Sequence, residues 1–576
     1  MRKKRIIILL LTAMVPLLQA QNLLRYEWKF MTGDDPVWAE PGFDDSGWKT
    51  IRAGTDWENQ GYGAYDGFAW YRQTVTIPAS LRKDAEENGG LVLYLGRIDD
   101  SDVTYWNGEF VGQTGRMPPE YESGYGDQRA YSIPAVKVRW DQKNTISVRV
   151  YDGGGGGGIV AEPIGLSVKG FEELVTIRPV MDREDHLVLD RGPVNFMLVL
   201  ENKLKETLKG KLVVQAWSDF GSEISKETFE VRARPGGSGK IPVGLGELEP
   251  GFYNVIAVLE SDADNKRVEF AIGVRPEEIV SPLDRPDDFE DYWMRARREL
   301  DAVEPQYRLI RQDELCTDTR EVYLLEMRSL GNILIRGWYM RPVKEGIYPA
   351  ILHVQGYSSN MTPDNLYPGD DMVALALNIR GHGNSRDHVD PGFPGYLLYH
   401  LEDKELYIYR GAYMDCIRAV DFLYSRKEVD TSRVAVEGGS QGGALSFATA
   451  ALDNGRIDVC VPHVPFLSDF RDYFKLAGWP AGEVMQFMEE KGIGEEEVFH
   501  TLSYIDIKNL APWIKAPVLM SIGLRDRTCP PHINFAAYNQ LSVPKQYIVY
   551  PDAGHGLPGI YNKVKSDYIR KQFHME

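Results

Sequence analysis

A chain of 576 residues is too long for one hydrophobic core, so roughly two to four domains are expected. With 43% hydrophobic and 26% charged residues it has the balance of a globular protein. The net charge of −19 argues against nucleic acid or an anionic membrane as partner, and says nothing about neutral sugars.

At the start, Arg2, Lys3, Lys4 and Arg5 precede an apolar run from Ile6 to Leu18 and then Gln19-Ala20. A basic segment, a short apolar segment and a small residue predict a signal peptide over residues 1–20, cleaved after Ala20. Export to the periplasm or the extracellular space follows, and loss of those four basic residues takes the net charge from −19 to −23. The run is shorter than the roughly 20 residues of a membrane span. No later stretch is long and apolar enough, so no membrane span is expected.

Residues 21–170 carry short aromatic-rich strands such as Leu91–Leu95 and Thr145–Val150, punctuated by glycine and proline. Several spaced motifs stand out: Phe43-Asp44-Asp45-Ser46-Gly47-Trp48, Gly67-Phe68-Ala69-Trp70-Tyr71-Arg72, Asp99-Asp100-Ser101-Asp102, Asn107-Gly108 and the glycine run 153–158. They resemble the N-terminal sugar-binding β-sandwich of glycoside hydrolase family 2, which implies a galactose-binding-like jelly roll. Its Trp and Tyr rings can stack on sugars or fill the core, and the sequence leaves both open. Residues 171–279 continue as alternating strands, including Val194–Leu198, Leu212–Trp217 and Phe252–Ile256, with turns at Arg234-Pro235-Gly236-Gly237 and Glu249-Pro250-Gly251. They read as an immunoglobulin-like sandwich acting as a spacer.

From residue 280 to 576 the pattern changes. Asp287 or Asp288 can cap a helix whose Phe289, Trp293, Ala296 and Leu300 share one face. Strand-like runs at Val322–Met327 and Ile333–Met340 come next. Strands at Ala350–Val354, Met372–Ile379, Arg433–Val436, Asp458–His463, Val518–Ile522 and Gln546–Tyr550 then interleave with helices from about Tyr409 to Tyr424 and from Ala444 to Ala451. Residues 467–512 read as an irregular polar insert. Strands alternating with helices predict a parallel sheet.

The run Val434 to Gly443 predicts a strand, a tight turn and a helix start, with Ser440 at the apex between Gly438-Gly439 and Gly442-Gly443. A nucleophile elbow needs glycines there, because Gly438 and Gly442 must leave room for a crossing backbone. The fold is therefore expected to be an α/β-hydrolase, in which the chain order is Ser, acid, His. After Ser440 the histidines are His463, His500, His532, His555 and His574. His574 lies in the terminal tail, His500 in the insert, His463 at a strand end in the core, and His532 at a helix start. His555 follows the last predicted strand, where the fold places its base. Asp526 sits in the loop after Val518–Ile522 and is the candidate acid, with Asp469 and Asp472 as alternatives; Asp552 is read as shaping its turn. The oxyanion donors should be the backbone amides of Gln441, just after the nucleophile, and of Tyr357, in the loop after Ala350–Val354.

These residues bring a second resemblance. Arg285-Pro286 with Asp288, Phe289 and Trp293, Gly356-Tyr357, Arg380-Gly381, Gly438 to Gly443, Asp526 with Cys529-Pro530-Pro531, and His555 are similar to the acetyl xylan esterase/cephalosporin C deacetylase family, carbohydrate esterase family 7. The resemblance implies a Ser440–His555–Asp526 triad with Tyr357 and Gln441 amides as oxyanion donors, and an acetylated carbohydrate as substrate. The family's hexamers leave a homo-oligomer open. Three positions depart: His382 stands where the family has Gln, Gly556 where it has Glu, and Gln355 where His is usual. The two β-modules are a further departure.

Two other readings compete. One is a serine peptidase of the prolyl oligopeptidase kind, although residues 22–280 show no propeller repeat. The other is a non-catalytic carbohydrate-binding protein that kept the fold. Cys316, Cys416, Cys460 and Cys529 form no CxxC pair, and Cys416 and Cys460 lie in apolar patterns that predict buried free thiols. No histidine spacing suggests a metal, and no cofactor is expected.

Overall fold

The computed structural model describes residues 23–575 apart from 64, 119–120, 122, 154–155 and 364–369. The expected signal peptide lies outside the described residues. Among those described, no helix is long and apolar enough to cross a membrane.

The chain divides into two compact units, Met1–Leu174 and Val175–Glu576. The first is a β-sandwich of a six-stranded and a four-stranded sheet. The two strands predicted inside it are Leu91–Asp99 and Lys143–Asp152. Five of its seven indoles are used as core: Trp28, Trp48, Trp57, Trp70 and Trp106 are each 6% exposed or less, while Trp38 and Trp140 are half-buried. Rings sealed in this way cannot stack on a sugar. Within the glycine run, Gly157 is needed for space, since a Cβ there would lie 2.3 Å from the Trp57 ring.

The second unit opens with a three-stranded and a five-stranded sheet over Val175–Val274. Alternation works as period-2 burial requires: Val194, Phe196, Leu198 and Leu200 are buried along one strand. Leu187, Phe252, Ala271 and Ile279 belong to the same hydrophobic cluster as the core of the following domain. Phe252 meets the Phe535 ring at 5.8 Å, and the Asn539 side-chain amide donates to the Pro276 and Ile279 carbonyls. The second sandwich and the α/β domain therefore share one core.

The α/β domain is built on nine strands: β1 Arg308–Arg311, β2 Arg320–Ser329, β3 Ile333–Pro342, β4 Tyr348–Val354, β5 Val373–Asn378, β6 Val429–Gly439, β7 Val459–His463, β8 Val518–Gly523 and β9 Lys545–Tyr550. They lie in the order β1-β2-β3-β5-β4-β6-β7-β8-β9. The first pairings, through β3–β5, are antiparallel, and all those from β5–β4 onwards are parallel. The helices longer than one turn are α1 Phe289–Asp301, α2 Ile408–Tyr424, α3 Gln441–Leu452, α4 Phe470–Leu476, α5 Ala481–Lys491, α6 Glu495–Ile505, α7 Pro531–Tyr538 and α8 Ile560–Gln572. Both faces of the sheet are covered. Val434 and Val436 of β6 enter one core and Ala435 the other, which is why this strand reads as a continuous apolar run.

Two expectations need correction. The stretch 467–512 is helical rather than irregular, carrying α4, α5, α6 and a one-turn helix at Ile507–Leu510. Phe470 and Tyr473 are buried in α4, Ala481 and Val484 in α5, and Val498, Leu502, Tyr504 and Ile505 in α6. At 7, 11 and 11 residues the helices are too short to display a period clearly. Asp288 does precede α1, and Phe289, Trp293, Ala296 and Leu300 are buried as expected, but its carboxylate makes no cap bond. It binds Lys404 Nζ at 2.8 Å and the Tyr504 hydroxyl instead.

Candidate active site

Ser440 sits at the junction of β6 and α3 with φ 57° and ψ −119°, a region that non-glycine residues rarely occupy. The strain is held by its neighbours. Its N–H donates to the His463 carbonyl at 3.0 Å, and its own carbonyl accepts from Phe466 N and Ala444 N. A Cβ at Gly438 would lie 2.5 Å from the Val354 carbonyl oxygen, and one at Gly442 would lie 2.3 Å from the same atom. Those two glycines are what let the end of β4 cross the turn.

Ser440 and His555 line one cavity of about 340 Å³, together with Gln355, Gly356, Ser359, Met361, Glu437, His463 and Lys565 among others. His555 lies in the loop after β9, and its Nδ1 is 2.8 Å from Asp526 Oδ2. Asp526 has a fully buried side chain. Its other oxygen, Oδ1, accepts from the N–H groups of Thr528 and Cys529 at 2.8 and 2.9 Å. An ionised carboxylate fixed by two amides leaves its second oxygen for the imidazole. Cys529 Sγ lies 3.9 Å from Ser440 Oγ, and burial holds that thiol well above its ordinary pKa, so it stays protonated. Cys416, Cys460 and Cys529 are buried free thiols.

The alternative acids are spoken for elsewhere. Asp469 Oδ1 pairs with Lys508 Nζ at 3.0 Å, and Asp472 Oδ1 pairs with Lys475 Nζ at 2.7 Å.

Gln441 opens α3, so its N–H belongs to the first turn, whose donors lack intrahelical acceptors and whose dipole favours negative charge. The side chain is clamped. Its Oε1 accepts from Tyr409 Oη at 2.7 Å, and its Nε2 lies 3.4 Å from the Gly356 carbonyl and 3.1 Å from His382 Nε2. This gives the departure at 382 a physical role. His382 Nδ1 lies 3.4 Å from the Arg380 carbonyl, so with the proton there Nε2 is an acceptor for the Gln441 amide. Burial pushes the imidazole down to about 4, which keeps it neutral. Arg380 anchors the loop through a paired contact to Asp415 at 2.8 and 2.9 Å.

The Tyr357 ring meets Phe393, Tyr396 and Trp479 edge-on, and its hydroxyl donates to Glu483 Oε2 at 3.2 Å. The side chain is thus committed to packing, and burial raises its phenol pKa. Gln355, with its amide turned so that it donates to Leu377 O at 2.7 Å and accepts from Ile379 N at 3.2 Å, ties the same loop to β5. At Gly556 a Cβ would meet nothing within 4 Å, so that departure is not imposed by space.

Sequence reasoning missed a polar cluster behind the elbow. Glu437 accepts from His353 Nδ1 at 2.5 Å and from Lys565 Nζ at 2.9 Å. Burial alone would raise its carboxyl, but Lys565 and then His353 more than reverse this and hold it well below the usual range. His463 is not merely core: it lines the cavity, with Nδ1 2.8 Å from Tyr561 Oη. Burial first, and then Lys565, push it down to about 3. The signal was a glutamate in an otherwise apolar strand, since a buried charge demands a partner.

Comparison with known proteins follows the same division of the chain. The acetyl xylan esterase (AXE1) family matches residues 278–572. Acetyl esterase Axe7A of Xylanibacter ruminicola is 28% identical over 352 residues, 58% of this chain and 78% of that protein. Among solved structures, an acetyl xylan esterase from Paenibacillus sp. R4 is 34% identical with a TM-score of 0.50, covering 52% of this chain and 98% of that one. Acetyl xylan esterase 1 from Thermoanaerobacterium sp. JW/SL YS485 is 33% identical over the same shares, with a TM-score of 0.49.

Proposed function

The chain belongs to the acetyl xylan esterase family and is a carbohydrate ester hydrolase, and from that premise we propose that it is an exported enzyme that removes acetyl groups from acetylated xylan or xylo-oligosaccharides through a Ser440–His555–Asp526 triad. The observation that carries the reading is that His555, whose Nδ1 pairs with buried Asp526 at 2.8 Å, lines the same cavity as the strained Ser440. Asp526 fixes the tautomer and leaves Nε2 to take the proton of Ser440 Oγ. Oγ attacks the acetyl carbonyl carbon, and the negative oxygen that forms is met by the Gln441 amide, at the positive end of α3, and by the Tyr357 amide. The imidazolium returns its proton to the departing sugar hydroxyl, which leaves an acetyl-serine. Water, deprotonated by the same imidazole, then releases acetate and regenerates the serine.

Export rests on the basic and apolar pattern of residues 2–20. The test is acetate release from acetylated xylo-oligosaccharides beside cleavage of an aminoacyl-prolyl amide. Acetate release with no amide cleavage is expected. Amide cleavage without acetate release would overturn the reading.

A further inference from the structure

Where the second sandwich meets the α/β domain, a group of acceptor atoms converges. His532, the second residue of α7, presents Nδ1 to Asp219 Oδ2 at 3.0 Å, from the loop after the strand Leu208–Ser218. The Phe220 ring packs edge-on against the imidazole at 5.0 Å. When the proton sits on Nδ1 and is donated to Asp219, the lone pair of Nε2 is free to bind a cation. Asp472 Oδ2 lies 3.8 Å from Nε2. One carboxylate oxygen each from Asp469 and Asp472 and one nitrogen of His532 lie within 4.8 Å of one another.

The lysines nearby do not resolve this. Lys475 takes Oδ1 of Asp472 and Lys508 takes Oδ1 of Asp469. Asp469 is 2% exposed, and its Oδ2 is buried without a hydrogen-bond partner. Lys508 balances the charge of Asp469 but leaves Oδ2 without a donor, which is costly for a buried carboxylate oxygen. Asp469 is also held at φ 48°, a left-handed conformation uncommon outside glycine.

We propose that Asp469, Asp472 and His532 bind one divalent transition-metal ion of the zinc or manganese class, with Asp219 orienting the imidazole from behind. Ligands about 2.0–2.2 Å from a common ion stand about 3–4 Å apart, and the His532–Asp472 separation falls in that range. A carboxylate on the far ring nitrogen of a ligating histidine is the usual outer partner of such sites. The imidazole among the donors selects against calcium and magnesium, which prefer oxygen alone. The ion would pin the Asp219 loop to α7. It would also brace the connection from Asp526 through Cys529 to His532, since only five residues separate the acid from the ligand. Local spacing could not reveal the site, because Asp219 lies 313 positions from His532.

The test uses the full chain, stripped with EDTA, dialysed and titrated with zinc chloride and separately with manganese chloride by calorimetry, with bound metal counted by mass spectrometry. One equivalent should bind, with a Kd of about 10 µM or tighter for at least one ion, and the melting temperature should rise. His532→Gln should weaken binding by about 100-fold, and Asp219→Asn by about 10- to 100-fold, with unchanged circular dichroism. If His532→Gln does not fold, Asp472→Asn, at a partly exposed side chain, reads the same loss. Binding weaker than about 1 mM for both ions would overturn the proposal and leave His532 as an ion-pair partner of Asp219. So would one-equivalent binding that survives both His532→Gln and Asp472→Asn, which would place the ion elsewhere.

Discussion

His382 offers a test in which stability and catalysis separate. The imidazole has no exposed surface, and burial lowers its pKa from 6.5 to about 4. Below pH 6.5 the unfolded chain takes up a proton that the folded chain refuses until about pH 4, so stability must fall as the pH falls through that window. At 1.36 kcal/mol per pH unit the full shift is worth on the order of 3 kcal/mol, and about 2 kcal/mol of it is lost between pH 7.5 and pH 5. His382→Gln keeps an oxygen that can accept from the Gln441 amide while removing the titration. Urea unfolding of both proteins at the two pH values measures the difference directly. The variant should lose about 2 kcal/mol less than wild type on acidification, and its esterase rate at pH 7.5 should stay within a few-fold. His463, which also resists protonation, is present in both proteins and cancels. His382→Ala removes the acceptor and should cost at least about tenfold in kcat if Gln441, the proposed oxyanion donor, is no longer clamped. Equal acid sensitivity in wild type and His382→Gln would refute the reasoning.

Gly442→Ala should cost about 1–3 kcal/mol by thermal unfolding and most of the activity, since its Cβ would press on the Val354 carbonyl at 2.3 Å, whereas Gly556→Glu, facing open space, should leave the melting temperature unchanged. Asp526→Asn should reduce kcat by about 10⁴ on p-nitrophenyl acetate with little change in fold, because it disturbs the tautomer and charge that His555 needs. A chain beginning at Val175 should fold and keep its activity on p-nitrophenyl acetate, while one beginning at Val280 should melt lower or aggregate, because it strips Leu187, Phe252 and Ala271 from the shared core.

The parts of this fold that were legible in the sequence are those in which one local pattern serves one local need. The Ser440 elbow announced itself because two glycines are demanded by one crossing backbone, and strand β6 because a strand covered on both faces must be apolar throughout. That Asp526 and His555 lie close together could be expected because both sit in loops that follow neighbouring strands, β8 and β9. What stayed hidden depends on partners distant in sequence. His382 looked like a departure until its Nε2 was seen beside the Gln441 amide, 59 positions on. Glu437 needed Lys565, 128 positions away, to explain a charge in an apolar strand. The second sandwich read as a spacer because its strands alternate normally. Nothing local says that Phe252 points at Phe535. The helices of the insert were missed for another reason: each is 11 residues or shorter, so its pattern ends before a helical period is distinct.

The central claim, that Ser440 is a nucleophile activated by His555, is tested most directly by incubating the full chain with a fluorophosphonate and locating the adduct by peptide mass spectrometry. The account predicts a single stoichiometric adduct on Ser440, slowed by several orders of magnitude in His555→Ala. An adduct on another residue, or one that forms on Ser440 at an undiminished rate without His555, would contradict it.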